Sequence, residues 1–162
     1  LTHMLETVAK HARFDLAVEA TGDVHVDAHH TVEDVGLALG EALDLSLGDR
    51  AGIARFGHSY VPLDEALART VVDLSGRPYL VFEAPPTPEL QFVTREFPFA
   101  LVEEFWKSFA FRGKLNLHVD VIRGRNAHHA AEAVFKATAR ALRQAVALGE
   151  ATVLSTKGTL TA

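Results

Sequence analysis

No cysteine occurs among the 162 residues, which excludes disulfides, thiolate metal sites and thiol nucleophiles and suits a reducing, cytoplasmic location. No apolar run approaches the roughly 20 residues that a membrane-spanning helix needs, so no membrane partner is expected. Basic blocks are absent as well. Lys and Arg number 16 against 21 Asp and Glu, the formal net charge is −5, and nucleic acid is not expected as a partner. What remains is an ordinary globular composition, 48% hydrophobic and 23% charged, at a length suited to one domain. Nine histidines stand out against it, because four of them form two adjacent pairs, His29-His30 and His128-His129.

Apolar spacing predicts four helices, over residues 2–11, 29–47, 97–111 and 128–148. In the second, Val32, Val35, Leu39, Ala42 and Leu43 recur at helical intervals; in the fourth, Ala131, Phe135, Ala139, Leu142 and Val146 do so. Alternation predicts strands at residues 14–18 and 115–119, with further strands near 56–62, 69–74 and 79–82 and a turn at Ser75-Gly76-Arg77-Pro78. The two halves overlay. With His3 set on Glu104, residues 14–19 fall on 115–120 without a gap, and Ala28-His29-His30-Thr31-Val32-Glu33 then meets Ala127-His128-His129-Ala130-Ala131-Glu132. Each half thus reads helix, strand, helix, with His-His-x-x-Glu opening the second helix. One domain made by duplication is expected, with halves of about 1–48 and 56–148 and a tail over 149–162. In the second half strands precede the helix of Glu104. By the logic of the repeat a strand pair of about 15–30 residues should precede Leu1. Its absence should expose a sheet edge and the apolar side of the helix carrying Met4, Leu5 and Val8.

Residues four apart share a helix face, so His29 with Glu33, and His128 with Glu132, can each grip one metal ion. His30 and His129 point about 100° away around their helices and are free to reach a second ion. Two copies facing each other across a pseudo-twofold would give one site of His29, Glu33 and His129 and another of His128, Glu132 and His30. Imidazole with carboxylate suits Mn, Fe, Co or Zn. One such motif alone is more often a polar helix start, its glutamate favoured by the helix dipole; two at equivalent places in a repeat point to metal. The donor set also permits a dinuclear metallohydrolase, or a non-catalytic oligomer stapled by metal.

At these residues a specific resemblance emerges. Asp27-Ala28-His29-His30-Thr31-Val32-Glu33-Asp34-Val35-Gly36 and Asn126-Ala127-His128-His129-Ala130-Ala131-Glu132-Ala133-Val134-Phe135-Lys136 are similar to the two signatures of the imidazoleglycerol-phosphate dehydratase family. His3-Met4-Leu5, Arg55-Phe56-Gly57, Asp73-Leu74-Ser75-Gly76-Arg77-Pro78 and Ser155-Thr156-Lys157-Gly158 match in order along the chain. The resemblance implies an α+β fold of two ferredoxin-like (split β-α-β) halves, ribosomal S5 domain 2-like, with helices packed on mixed sheets. It implies a hydro-lyase of histidine biosynthesis that converts imidazoleglycerol phosphate to imidazoleacetol phosphate through a metal-stabilised imidazolate. Two Mn(2+) per active site and a homo-oligomer of 24 subunits, with sites between subunits, are implied too. Carried over by position, the metal ligands are His3, His29, His30, Glu33, His128, His129 and Glu132. Glu104 stands where many members have a ligating histidine, and Thr2 where aspartate is usual. Glu33 and Glu132 are also the candidate catalytic carboxylates, and the substrate contacts are Arg55, Arg77, Lys136, Ser155 and Lys157.

Overall fold

The computed structural model describes residues 1–149 and 152–160. Two helices come first, α1 (Thr2–Ala12) and α2 (His29–Leu47), followed by a β-hairpin of β1 (Phe56–Leu63) and β2 (Ala66–Asp73). Strand β3 (Tyr79–Glu83) and a short pair, β4 (Phe92–Thr94) and β5 (Phe97–Pro98), lead to α3 (Ala100–Gly113). Strand β6 (Asn116–Arg123) and α4 (Ala127–Ala145) complete the order. The fold is α+β, with a mixed sheet ordered β1-β2-β6-β3 in which only β3 and β6 run parallel.

Alternation builds this sheet. Gly57, Ser59 and Val61 of β1, Ala66, Ala68, Thr70 and Val72 of β2, and Leu117, Val119 and Val121 of β6 face inward and are buried. Helix α4 covers β1 and β2 with one side and meets α1 with another, which is why its alanines, Val134, Phe135 and Leu142 are buried around the helix. The opposite sheet face leaves Phe56, Tyr60, Val71 and Tyr79 exposed.

The helices pair across the repeat, α1 with α4 and α2 with α3. The second pairing depends on small residues. A Cβ added at Gly36 would stand 2.7 Å from the Phe105 carbonyl oxygen, and one at Gly40 would stand 2.4 Å from that of Phe109. The two backbones therefore touch directly, and residues that ascend along α2 meet residues that ascend along α3. The core beside this seam is aromatic: Phe105, Trp106, Phe109 and Phe135 meet with ring centroids 4.9–6.3 Å apart.

Four expectations change. Residues 14–18 form no strand. The stretch after the left-handed Arg13 cap has no ladder partner among the described residues and lies along α1 and α2 instead. Helix α3 starts at Ala100 rather than at 97, because the bond before Pro98 disfavours helical backbone and Phe97–Pro98 pairs with β4. Helix α4 ends at Ala145, where the chain turns into the bridge between Leu148 and Ile53. Met4, Leu5 and Val8 are buried, against the expectation that they would be bare. The open apolar surface belongs to α2 instead. Leu39, Leu43 and Leu47 line a groove of about 590 Å³ with Phe14, Leu16 and Ile53. Of the tail over 149–162, residues 150, 151, 161 and 162 lie outside the described residues.

Gly40→Ala should lower unfolding free energy by about 1–3 kcal/mol, the usual cost of overpacking, even though alanine favours an isolated helix by about 1 kcal/mol. Chemical denaturation checks this; an unchanged or higher midpoint would contradict a backbone-to-backbone seam.

Candidate metal centres and anion-binding residues

Helix pairing brings distant candidate ligands together. His3 of α1 meets His128 and Glu132 of α4, with both Nε2 atoms close to the same Glu132 oxygen, at 3.2 and 3.1 Å. The two imidazoles stack with centroids 5.9 Å apart. His29 and Glu33 of α2 meet Glu104 of α3. Within each trio the donor atoms lie within 4.8 Å of one another. Each tripod takes its single residue from the first helix of one half and its pair from the second helix of the other. His3 and Glu104, aligned by the repeat, hold equivalent positions.

Local capping fixes where the pairs begin. Asn126 accepts the backbone N–H groups of His128 and His129, and Asp27 accepts that of His29 at 3.0 Å. His128 and Glu132 then fall one turn apart on one face, as do His29 and Glu33.

The cross-site sharing expected from spacing does not occur within one chain. His129 is held by Glu65, at 2.8 Å from Nδ1, and His30 by Asp23, at 3.0 Å from Nδ1. Neither histidine joins the opposite tripod. Asp23, Asp64 and Glu65 were not singled out by sequence. The one available signal was an acidic Asp64-Glu65 pair in the turn between two strands.

Charge is balanced around both histidine pairs. Burial alone would raise the Glu132 carboxyl, but hydrogen bonds and positive charge from Lys136 and His3 outweigh it, and the pKa falls to about 2. The Lys136 ammonium stands 2.7 Å from that carboxylate. Glu65 is likewise brought down to about 2, first by His129 and then by the backbone N–H groups of Asn126 and Arg125. Hydrogen bonds that the Asp23 and Glu65 carboxylates accept raise the pKa values of His30 and His129 respectively.

The remaining anion-binding candidates gather at the other end of the hairpin. Arg55, at φ 69°, donates Nε and Nη2 to the two Asp73 oxygens at 2.7 and 3.0 Å, and Nη1 to the Leu154 carbonyl. It thereby ties down the tail that carries Ser155 and Lys157, whose backbone N–H donates to the Ser155 hydroxyl. Arg77 and Lys157 are exposed, and among the described residues no carboxylate pairs with either. Arg55 N–H donates to the Ala145 carbonyl at the end of α4, whereas the tripod residues His128 and Glu132 lie at its start. At about 1.5 Å per residue, the Ala145 carbonyl that receives Arg55 lies about 20–25 Å along the helix from those two residues.

A family model for imidazoleglycerol-phosphate dehydratase matches residues 1–142. The chain is 54% identical to the imidazoleglycerol-phosphate dehydratase of Cupriavidus metallidurans, over 99% of this chain and 82% of that one. The crystal structure of the Staphylococcus aureus imidazoleglycerol-phosphate dehydratase superposes with a TM-score of 0.81 at 42% identity, covering 91% of this chain and 82% of that one. The Pyrococcus furiosus enzyme gives 0.77 at 34% identity, covering 96% and 83%.

A carboxylate depressed in the folded state stabilises the fold above its unfolded pKa and loses that effect as pH falls through the folded value. For Glu132 the window runs from 4.5 down to about 2. The melting temperature of the metal-free protein should therefore fall across this window, and Glu132→Gln should make the fall shallower. Identical pH profiles for the two proteins would contradict the assignment.

Proposed function

The chain belongs to the imidazoleglycerol-phosphate dehydratase family and is a hydro-lyase, and from that premise we propose that it converts imidazoleglycerol phosphate to imidazoleacetol phosphate in histidine biosynthesis, using two divalent metal ions at sites shared between chains of a homo-oligomer. The observation that supports this most is the pair of cross-repeat tripods, His3/His128/Glu132 and His29/Glu33/Glu104.

The tripods suit divalent transition metals. Their donors are imidazole nitrogen and carboxylate oxygen. The edges of 3.1 and 3.2 Å in the first tripod are close to the about 3.0 Å between neighbouring ligands when bonds are about 2.1 Å. We take the ions as Mn(2+), two per active site, which these residues would hold and which would supply Lewis acidity toward the imidazole ring. Glu104 fills its place as a carboxylate donor where many relatives use histidine.

The chain's own groups do the rest. Lys136 keeps Glu132 ionised, so the carboxylate stays a donor rather than an acid at neutral pH. Arg77 and Lys157, which pair with no carboxylate among the described residues, are cations suited to a phosphate, and Arg55, already engaged with Asp73, anchors the tail that presents Ser155 and Lys157. Binding the phosphate far from the reacting carbon orients that carbon without taking part in bond breaking.

Length supports sharing between chains. The Arg55 backbone meets the far end of α4, about 20–25 Å along the helix from the tripod at its start, and one small substrate does not span that length. In this reading another chain supplies the phosphate anchors, and His30 and His129 complete tripods in the same way. The exposed Phe56, Tyr60, Val71 and Tyr79 offer apolar surface for such contacts. An assembly of 24 subunits and a cytoplasmic location, where a phosphorylated intermediate is retained, go with this reading. Among the described residues no helix is long and apolar enough to cross a membrane.

Arg77→Ala and Lys157→Ala should each weaken substrate binding by about 2–4 kcal/mol, the range for truncating one partner of a hydrogen-bonded charge pair, and leave metal content unchanged. Lys157→Ala and Glu132→Ala chains, each inactive alone, should regain about a quarter of native dehydratase activity when co-assembled one to one, because some shared sites then draw both residues from intact positions. Full activity of either variant, or no recovery on mixing, would contradict a shared site.

A further inference from the structure

In each pair, the second histidine meets a carboxylate through the same ring atom. Glu65 Oε2 lies 2.8 Å from His129 Nδ1, and Asp23 Oδ2 lies 3.0 Å from His30 Nδ1. An ionised carboxylate only accepts hydrogen bonds. A neutral imidazole in this position therefore carries its proton on Nδ1, and Nε2 keeps the free lone pair. At His129, the Asp64 carboxylate stands 3.8 Å from Nε2, beyond hydrogen-bonding distance.

The two carboxylates do not occupy equivalent positions in the repeat. Asp23 precedes His30 by seven residues, and the residue seven before His129 is Ile122. The second half brings Glu65 instead, from the turn between β1 and β2, and ties its other oxygen to the Arg125 and Asn126 backbone N–H groups at 3.1 and 2.7 Å. Copying explains the histidines, since they align. It does not explain two carboxylates that reach the same ring atom from different elements. Such convergence marks a requirement on the ring itself.

Resting on the reading of this chain as a two-metal dehydratase, we propose that Asp23 and Glu65 are positioning residues that hold His30 and His129 in the Nδ1–H tautomer and so present Nε2 as a metal ligand. The partner that fixes one imidazole nitrogen selects the other for metal, and losing such a partner typically weakens metal binding about 10–100-fold.

Glu65→Gln separates this role from capping. The amide oxygen must stay on the two backbone N–H groups, because only it can accept them. The amide NH₂ then faces His129, and Nδ1 must become the acceptor. Solid-state ¹⁵N spectra of histidine-labelled, metal-free protein at about pH 9, where imidazoles are neutral, should show His129 as the Nδ1–H tautomer in the native chain and the Nε2–H tautomer in Glu65→Gln. Titration with Mn(2+) should show one site weakened about 10–100-fold in the variant, with the melting temperature of the metal-free protein unchanged within a few degrees. Asp23 is half-exposed, and among the described residues its side chain caps no helix, so Asp23→Ala gives a second variant with the same expected weakening through His30. An Nε2–H tautomer at His129 in the native chain would overturn the proposal, as would native Mn(2+) affinity in both variants. A native chain with the Nδ1–H tautomer that takes up no Mn(2+) would support the positioning of the ring and refute the two-metal reading on which ligation depends.

Discussion

The arrangement of the candidate metal centres depends on the seam where α2 and α3 touch backbone to backbone at Gly36 and Gly40. Because the helices ascend together along that seam, Glu104 arrives beside His29 and Glu33 at the start of both. The same parallel relation between α1 and α4 brings His3 to His128 and Glu132. Neither tripod is a local motif. Each is a consequence of helix packing between the halves of a duplicated chain, so a side chain that parted α2 from α3 would disturb a candidate metal centre without touching a candidate ligand.

The same packing divides the labour within a chain. Helix α4 carries candidate ligands at its first turn, and the Ala145 carbonyl at its far end receives Arg55, which in turn grips Asp73 and the Leu154 carbonyl. The length of the helix therefore separates the candidate metal ligands from the backbone of Arg55 by more than one small substrate covers. In the proposed enzyme, assembly is then part of the active site and not merely a means of stabilisation.

Much of this was legible in the residues. The four helices follow from apolar spacing and the strands near 56–62, 69–74 and 79–82 from alternation, and the alignment of His3 with Glu104 anticipates the equivalence of the two tripods. What could not be read depends on contacts remote in sequence. Residues 14–18 alternate as a strand would, but alternation gives no ladder partner, and the segment settles along helices. Helical spacing leaves His30 and His129 pointing away from their own glutamates, yet it could not reveal that Asp23 and Glu65 would meet them, because Glu65 lies 64 residues from His129. Arg55 reads as a free cation until the fold sets Asp73 beside it across the hairpin.

In the proposed enzyme, two ions bind where helices from opposite halves converge. Anomalous diffraction at the manganese edge from Mn(2+)-loaded crystals would locate them. Two peaks per chain are expected, one among His3, His128 and Glu132 and one among His29, Glu33 and Glu104. A loaded crystal with no peak at either tripod, or with its ions bound elsewhere, would contradict this reading.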